Sequence, residues 1–488
     1  MLGLHCQTGY AAEVGRGPVI SKNPPRVWLH SRKNDRGGFT GTTTPGKAQS
    51  KLSCPHCSGP IINFFPSFPY FQITMDGLLE IIALERMEAM SERQRNRNIL
   101  YNRRRDLLTG LSDLEVYRQT GFTRSQIGQL VDIFGPQLEP RRGSTGNPIT
   151  PEQAIICFLL LAHGGNFHRI NALCSGMSTS GAWSCFVKCI EAISARKKEF
   201  IFMPSRLECA IMAHENYEKY GIRNVALSVD GKLFTMSKRP RESEVGDNVP
   251  TEQVEEDEVE NNVARRPTAK DYYSYKRSYG LNAMIVGDRY MIREVQADPP
   301  GTFHDARNFF ESKFKQLWEM AEYRPYICLG DSAYTPSPSV VTPYKDRQIH
   351  TQAGISQEKI TSFHKALAAV RTDQTESMFG QLTMIFPGLR DLKSYKIKYH
   401  VKFIVSCCVL FNIRRHLDRI DHGYEPYTAE QVETYMKEDR ANVEYFNSWM
   451  AANKAGGRHA RRNDSDRETW LTREFIISTL GPQALKRN

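Results

Sequence analysis

Asn224-Val225-Ala226-Leu227-Ser228-Val229-Asp230-Gly231 is the stretch on which the fold turns. It is a short apolar run that ends on an acid and a glycine, the pattern of a buried strand entering a turn. Residues 232–236 either continue the strand or hairpin back. Downstream, residues 275–286 and 290–296 alternate around Gly287-Asp288 and read as two antiparallel strands. Residues 305–322 carry Phe310, Phe314, Leu317 and Ala321 on one stripe and read as a helix. Residues 326–329 form a fourth strand that ends on Gly330-Asp331, and residues 340–343 a short fifth. Helices follow: 356–386, an apolar 401–417, and an amphipathic 428–452.

Three antiparallel strands, a helix, a strand and then helices outline a ribonuclease-H-like α/β domain over residues 222–420. In that outline the first and fourth strands are neighbours. Asp230 and Asp331 then stand side by side at the carboxyl edge of the sheet, where α/β folds place their ligands. Residues 239–268 interrupt the domain with Glu255-Glu256-Asp257-Glu258 and few apolar residues, the composition of a disordered insertion.

In front of this domain the pattern is helical. Residues 111–200 read as an all-α domain, with a capped helix start at Thr150-Pro151-Glu152-Gln153. A helix over 166–174, a short break at Ser175–Ser178 and a helix near 181–194 resemble a helix-turn-helix. The second of these buries Trp183, Phe186, Val187, Ile190 and Ile193 and exposes Ser184, Lys188 and Glu191. That is a thin set of base-reading side chains, and a purely structural helix fits it equally. Residues 74–110 form a basic helical segment with Arg93, Arg95, Arg97, Arg103, Arg104 and Arg105, suited to a DNA backbone or to a solvated helix face. Residues 1–73 lack periodicity and read as disordered, and 421–488 read as a helical tail. Cys54 and Cys57 form half of a zinc site with no partner half at a familiar spacing.

The formal net charge of +11 over 488 residues favours a polyanionic partner. No apolar run is long enough to span a bilayer, so no membrane role is expected. The cysteines inside apolar helical patterns read as buried reduced thiols.

Adjacent carboxylates repel unless a cation sits between them. Hard oxygen ligands suit Mg²⁺ or Mn²⁺, and two such ions about 4 Å apart catalyse in-line phosphoryl transfer. A third carboxylate comes from the helix over 356–386. Asp373 and Glu376 share one helical face, and spacing does not choose between them.

Four ordered blocks resemble the Harbinger (PIF/Harbinger) DDE transposase family. They are Leu227-Ser228-Val229-Asp230-Gly231, Pro300-Gly301-Thr302-Phe303-His304-Asp305, Gly330-Asp331-Ser332-Ala333-Tyr334 and Glu376-Ser377-Met378-Phe379-Gly380-Gln381-Leu382. Arg371 precedes Glu376 as the family's Arg does, and Asn412-Ile413 resembles the end of its late core helix. The resemblance implies metal-dependent DNA cutting and joining, with Asp230, Asp331 and Glu376 as ligands of two Mg²⁺ or Mn²⁺ ions. Asp373 has no counterpart in the family pattern. His304 and Asp305 are expected to support the site. Lys188, Lys276, Arg277, Lys393, Lys396 and Lys398 are candidate phosphate contacts. The resemblance further implies transposon ends or derived sites as substrate, a Myb-like DNA-binding partner protein, a homo-oligomer and a nuclear location. Lys238-Arg239-Pro240-Arg241 is a short basic stretch that agrees with the last. Ala306, Thr383 and Phe411 depart from the family pattern without removing a ligand. The alternative is a domesticated DNA-binding or regulatory derivative, whose mark would be a broken triad. An RNA-cleaving enzyme on the same fold and a protein scaffold are further alternatives.

Overall fold

The computed structural model describes residues 87–88, 91–92, 110–140, 148–167, 170, 177–245, 267–345, 355–393, 396–423, 427–454 and 464–485. The chain divides into Met1–Ile73 and Thr74–Asn488. The first unit, with Cys54 and Cys57, lies outside the described residues, as do the arginines from Arg93 to Arg105.

The front half is a set of helices: α1 (Asp113–Thr120), α2 (Arg124–Leu138), α3 (Pro151–Ala162), α4 (Thr179–Ala195) and α5 (Arg206–Tyr220). Ser112, Thr123, Thr150 and Ser205 each begin one with a capping box, in which hydroxyl and carboxyl or amide satisfy otherwise orphaned N–H groups. α4 is the second helix of the expected helix-turn-helix. Most of the first, residues 168–169 and 171–174, lies outside the described residues. α4 buries Ala182, Cys185, Phe186, Cys189, Ile190 and Ile193 and leaves Ser184, Lys188 and Glu191 exposed.

These helices do not close on a core of their own. Phe158 of α3 meets Phe403 edge-on, with centroids 6.1 Å apart. His163 Nδ1 lies 2.9 Å from the Ile385 carbonyl, and Ser406 Oγ donates to the Ile190 carbonyl at 3.2 Å. One apolar cluster runs from Val116 through Phe158 and Phe186 to Phe234 and Leu281 of the sheet. The region read as an all-α domain packs against the late helix that carries Phe403 and Ser406.

The sheet consists of β1 (Val225–Thr235), β2 (Gly280–Gly287), β3 (Ile292–Gln296), β4 (Ile327–Leu329) and β5 (Val340–Val341), in the order β3-β2-β1-β4-β5. β1 is antiparallel to β2 and parallel to β4. This mixed five-stranded sheet has the arrangement expected of a ribonuclease-H-like domain. β1 runs straight through Gly231, so residues 232–235 continue the strand. Alternation follows: Leu227 and Val229 pack with Phe309, Phe314 and Trp318, while Ser228 and Phe234 face the opposite layer. The single helix expected over 305–322 is two, α6 (Asp305–Phe310) and α7 (Lys313–Trp318), because Ser312 accepts from the Lys315 N–H and starts a new helix.

At the β2–β3 turn, Asp288 accepts from the N–H groups of Tyr290 and Met291 and pairs with Arg293 at 2.6 Å. Both side chains are buried, and Arg293 also reaches Glu208 at 2.7 Å.

α8 (Gln357–Arg371), a π-helical turn (Thr372–Glu376) and α9 (Ser377–Ile385) cross the sheet. α10 (Ile397–Asp421), α11 (Ala429–Lys454) and α12 (Asp464–Ser478) complete the chain. The segment read as a tail is packed: Phe446, Trp470, Phe475 and Ile476 share a core with Ile327, Val341 and Phe363. The two ends of the stretch read as a disordered insertion are ordered. Glu242–Val245 forms a short helix, Val245 is buried, and Glu242 accepts from the Ala269 N–H at 3.1 Å. Residues 246–266 lie outside the described residues. Cys157, Cys185, Cys189, Cys407 and Cys408 are buried free thiols. No helix among the described residues is long and apolar enough to cross a membrane.

Candidate active site

β1 and β4 bring the first two acids together. Ser228 pairs with Leu329 in the parallel register. Two residues further along each strand, Asp230 and Asp331 reach the same level at the carboxyl edge. Asp331 is fixed by its own turn, accepting from the Ala333 N–H at 2.8 Å. Asp230 accepts from the Gly231 N–H at 2.9 Å and faces Arg371, whose guanidinium is 3.5 Å away.

Asp305, at the start of α6, joins them. Its carboxylate accepts from Asn282 Nδ2 at 2.7 Å and lies against the backbone of Gly231. A Cβ at position 231 would stand 2.1 Å from Asp305 Oδ1, so this contact requires glycine. Three carboxylates therefore meet where β4 ends beside the middle of β1, and their chemistry shows it. Burial pushes the Asp230 carboxyl up to about 6; Arg371 and the Gly231 N–H oppose the rise, and Asp331 and Asp305 add to it. Burial likewise raises Asp305, the Asn282 hydrogen bond opposes it, and Asp331 adds to the rise. His304, next to Asp305, acts the other way. Beneath them the Tyr334 hydroxyl is buried without a hydrogen-bond partner, its phenol pushed well up by burial and then by Asp305, Asp230 and Asp331.

Residues 256–412 match the DDE superfamily endonuclease family. No curated protein and no solved structure matches the chain. The matched span covers β2 through most of α10 and includes Asp305, Asp331 and Glu376, while Asp230 lies before it.

The π-helical turn separates the two acids that spacing left open. Asp373 faces α5 and the β2–β3 turn, where it accepts from Arg289 Nε at 2.8 Å and Lys219 Nζ at 3.1 Å. Burial raises its pKa, but hydrogen bonds from Tyr220 and Lys219 and the charge of Arg289 outweigh it and hold the carboxyl low. Glu376 is exposed, accepts from Thr372 Oγ1 at 3.1 Å, and follows Arg371 on the helix that reaches Asp230. Among the described residues no three His, Cys, Asp or Glu side chains stand close enough, as they are, to hold a metal ion. Arg371 meanwhile stands beside Asp230.

The basic candidates divide. Lys276 and Arg277 sit on the tip of a hairpin arm beside the acids, and Lys276 bears electrostatically on Asp305. Lys393 follows Leu392, which bridges Met236 just beyond β1; Lys396 caps α10 and Lys398 lies in its first turn. Lys188 stands apart on α4. Lys232 was missed. It follows Asp230 by two on a continuous strand and so shares its face, its ammonium 5.2 Å from the Phe379 ring centroid. Burial lowers its pKa, as do Lys276 and Arg390, while Asp230 opposes this. Reading 232–236 as one continued strand would have found it. Asn282 was also missed and has no local signal, because it matters only through the strand it meets; Tyr334 stood in the Gly330–Tyr334 block without a role of its own.

Proposed function

We propose that this chain is a divalent-metal-dependent DNA endonuclease and strand-transferase of the Harbinger transposase type, acting at transposon ends or sites derived from them. The observation that carries this reading is the meeting of Asp230, Asp305 and Asp331 at one sheet edge, next to the helix of Glu376. Carboxylates driven upward by burial and mutual repulsion, over an unpartnered buried hydroxyl, fit a hard cation bound through oxygen.

In this reading Asp230, Asp331 and Glu376 hold Mg²⁺ or Mn²⁺. When bound, two such ions activate the attacking oxygen of water or of a 3′ hydroxyl and stabilise the leaving oxygen in an in-line transfer. Arg371, 3.5 Å from Asp230, balances its charge, a role that a bound cation would share. Asn282 holds Asp305 beside the centre, where its carboxylate would orient water, and His304 next to it favours the charged carboxylate. A Myb-like partner, self-association and nuclear location belong to the same reading and rest on the family resemblance.

The test is cleavage of DNA carrying candidate terminal repeats, with Mg²⁺, with Mn²⁺ and with chelator. Metal-dependent cutting that Asp331→Asn abolishes supports the reading; no cutting in any metal removes it.

A further inference from the structure

Tyr275 is 86% exposed, far more than its folded surroundings explain. It does not hang on a loose loop. Tyr273 and Tyr279 form an antiparallel bridge, and their rings meet edge-on with centroids 5.0 Å apart. Inside the bridge the Ser274 N–H donates to the Ser278 carbonyl at 2.9 Å, and the Arg277 N–H to the Ser274 carbonyl at 3.0 Å. The buried Ser274 hydroxyl accepts from the Lys276 N–H at 3.2 Å, and Arg277 takes φ +59° to close the turn. The tip is a built turn that holds an aromatic ring in water.

The hairpin runs directly into β2, and at its base the Thr302 N–H, three residues before Asp305, donates to the Asp271 carbonyl at 3.0 Å, so the arm stands on the Asp305 side of the centre, where Lys276 bears on Asp305 and Lys232. Lys276 Nζ is also 5.6 Å from the Tyr275 ring centroid. Among the described residues neither Lys232 nor Lys276 nor Arg277 forms an ion pair. Lys232 and Lys276 repel each other, Asp230 and Asp305 act on them without pairing, and a phosphate set between the cations relieves that repulsion. An exposed aromatic ring with a cation beside it is the arrangement that binds single strands, with bases on the ring and phosphates on the cations.

We propose that the 273–279 hairpin grips a DNA strand: Tyr275 stacks on an unpaired base flanking the phosphodiester that is cut, and Lys276 and Lys232 take the adjoining phosphates. This rests on the acid centre being a DNA-cutting site, and it adds a requirement for an unstacked base there.

The experiment uses the full chain in chelator and a short single-stranded oligonucleotide carrying the fluorescent base aminopurine, with the matching duplex as a second arm. The wild type and Tyr275→Phe are expected to quench the fluorescence and to bind the single strand more tightly than the duplex. Tyr275→Ala is expected to lose the quench and about 5- to 150-fold in affinity, with an unchanged melting temperature. Lys276→Ala is expected to lower the salt dependence by about one phosphate contact while keeping the quench. Equal affinity and equal quench for Tyr275→Ala and wild type overturn the proposal. Cleavage measured in parallel separates the two readings. A cutting wild type with an indifferent Tyr275→Ala removes the hairpin's role and leaves the nuclease; quenching through Tyr275 in a chain that never cuts removes the nuclease and leaves a strand-binding hairpin.

Discussion

Asp373→Asn and Glu376→Gln are expected to fail in opposite ways. Asp373 accepts from Arg289 Nε at 2.8 Å and Lys219 Nζ at 3.1 Å. Arg289 is about three-quarters buried, its Nη2 already lacks a partner, and its other carboxylate, Glu215, is 3.7 Å away. Removing the Asp373 charge leaves that guanidinium poorly paired. Charge-assisted hydrogen bonds contribute about 1.5–3 kcal/mol each, and partial exposure brings the expected loss to about 1–2 kcal/mol. Glu376 is exposed and bonded to Thr372 alone, so Glu376→Gln should change stability by no more than about 0.5 kcal/mol. In activity the order reverses. Misplacing a metal disturbs the in-line geometry and should cost at least about 100-fold, whereas Asp373→Asn should stay within about 10-fold of wild type. Urea unfolding and single-turnover DNA cleavage on both variants measure the two axes. A dead but stable Asp373→Asn beside an active Glu376→Gln would refute the assignment of Glu376 and the role given to the π-helical turn.

Two further outcomes follow from buried charge. In chelator, Asp230 stays protonated in the fold up to about pH 6 but ionises near 3.8 when unfolded, so its contribution to stability falls as pH rises between those values. Asp230→Asn should therefore exceed wild type by about 1–3 kcal/mol at pH 7.5 and match it near pH 3.5; equal stability at both would show that burial does not penalise the Asp230 charge. Arg293→Met strands the fully buried Asp288 and should cost about 3–5 kcal/mol by urea unfolding, and a loss under about 1 kcal/mol would mean the Asp288–Arg293–Glu208 network is not under strain from burial.

The strands were legible because they are short apolar or alternating runs bounded by turn residues, except that β1 continues through Asp230-Gly231 to Thr235. Asp230 and Asp331 were legible as a pair because the strand order alone makes their strands neighbours. The third acid was not settled by spacing. A 3.6-residue period puts Asp373 and Glu376 on one face, but the π-helical turn carries Asp373 to Arg289 and leaves Glu376 behind Arg371. Asp305 entered only through the His-Asp block, since its place depends on the bare backbone of Gly231. The helices of 111–200 were found but not their partner. An apolar stripe says which side of a helix is buried, and Phe158 and Phe186 give no sign that Phe403 lies opposite.

The central claim is that Asp230, Asp331 and Glu376 bind the metal that cuts DNA, and Asp331→Cys tests it most directly. A thiolate is a poor ligand for Mg²⁺ and an acceptable one for softer ions such as Mn²⁺. Single-turnover cleavage is run with wild type and Asp331→Cys in each metal, with folding checked by circular dichroism. The account predicts that wild type cuts in both, and that Asp331→Cys is inactive in Mg²⁺ and recovers measurable cutting in Mn²⁺. Cutting by Asp331→Cys in Mg²⁺ at the wild-type rate would contradict it.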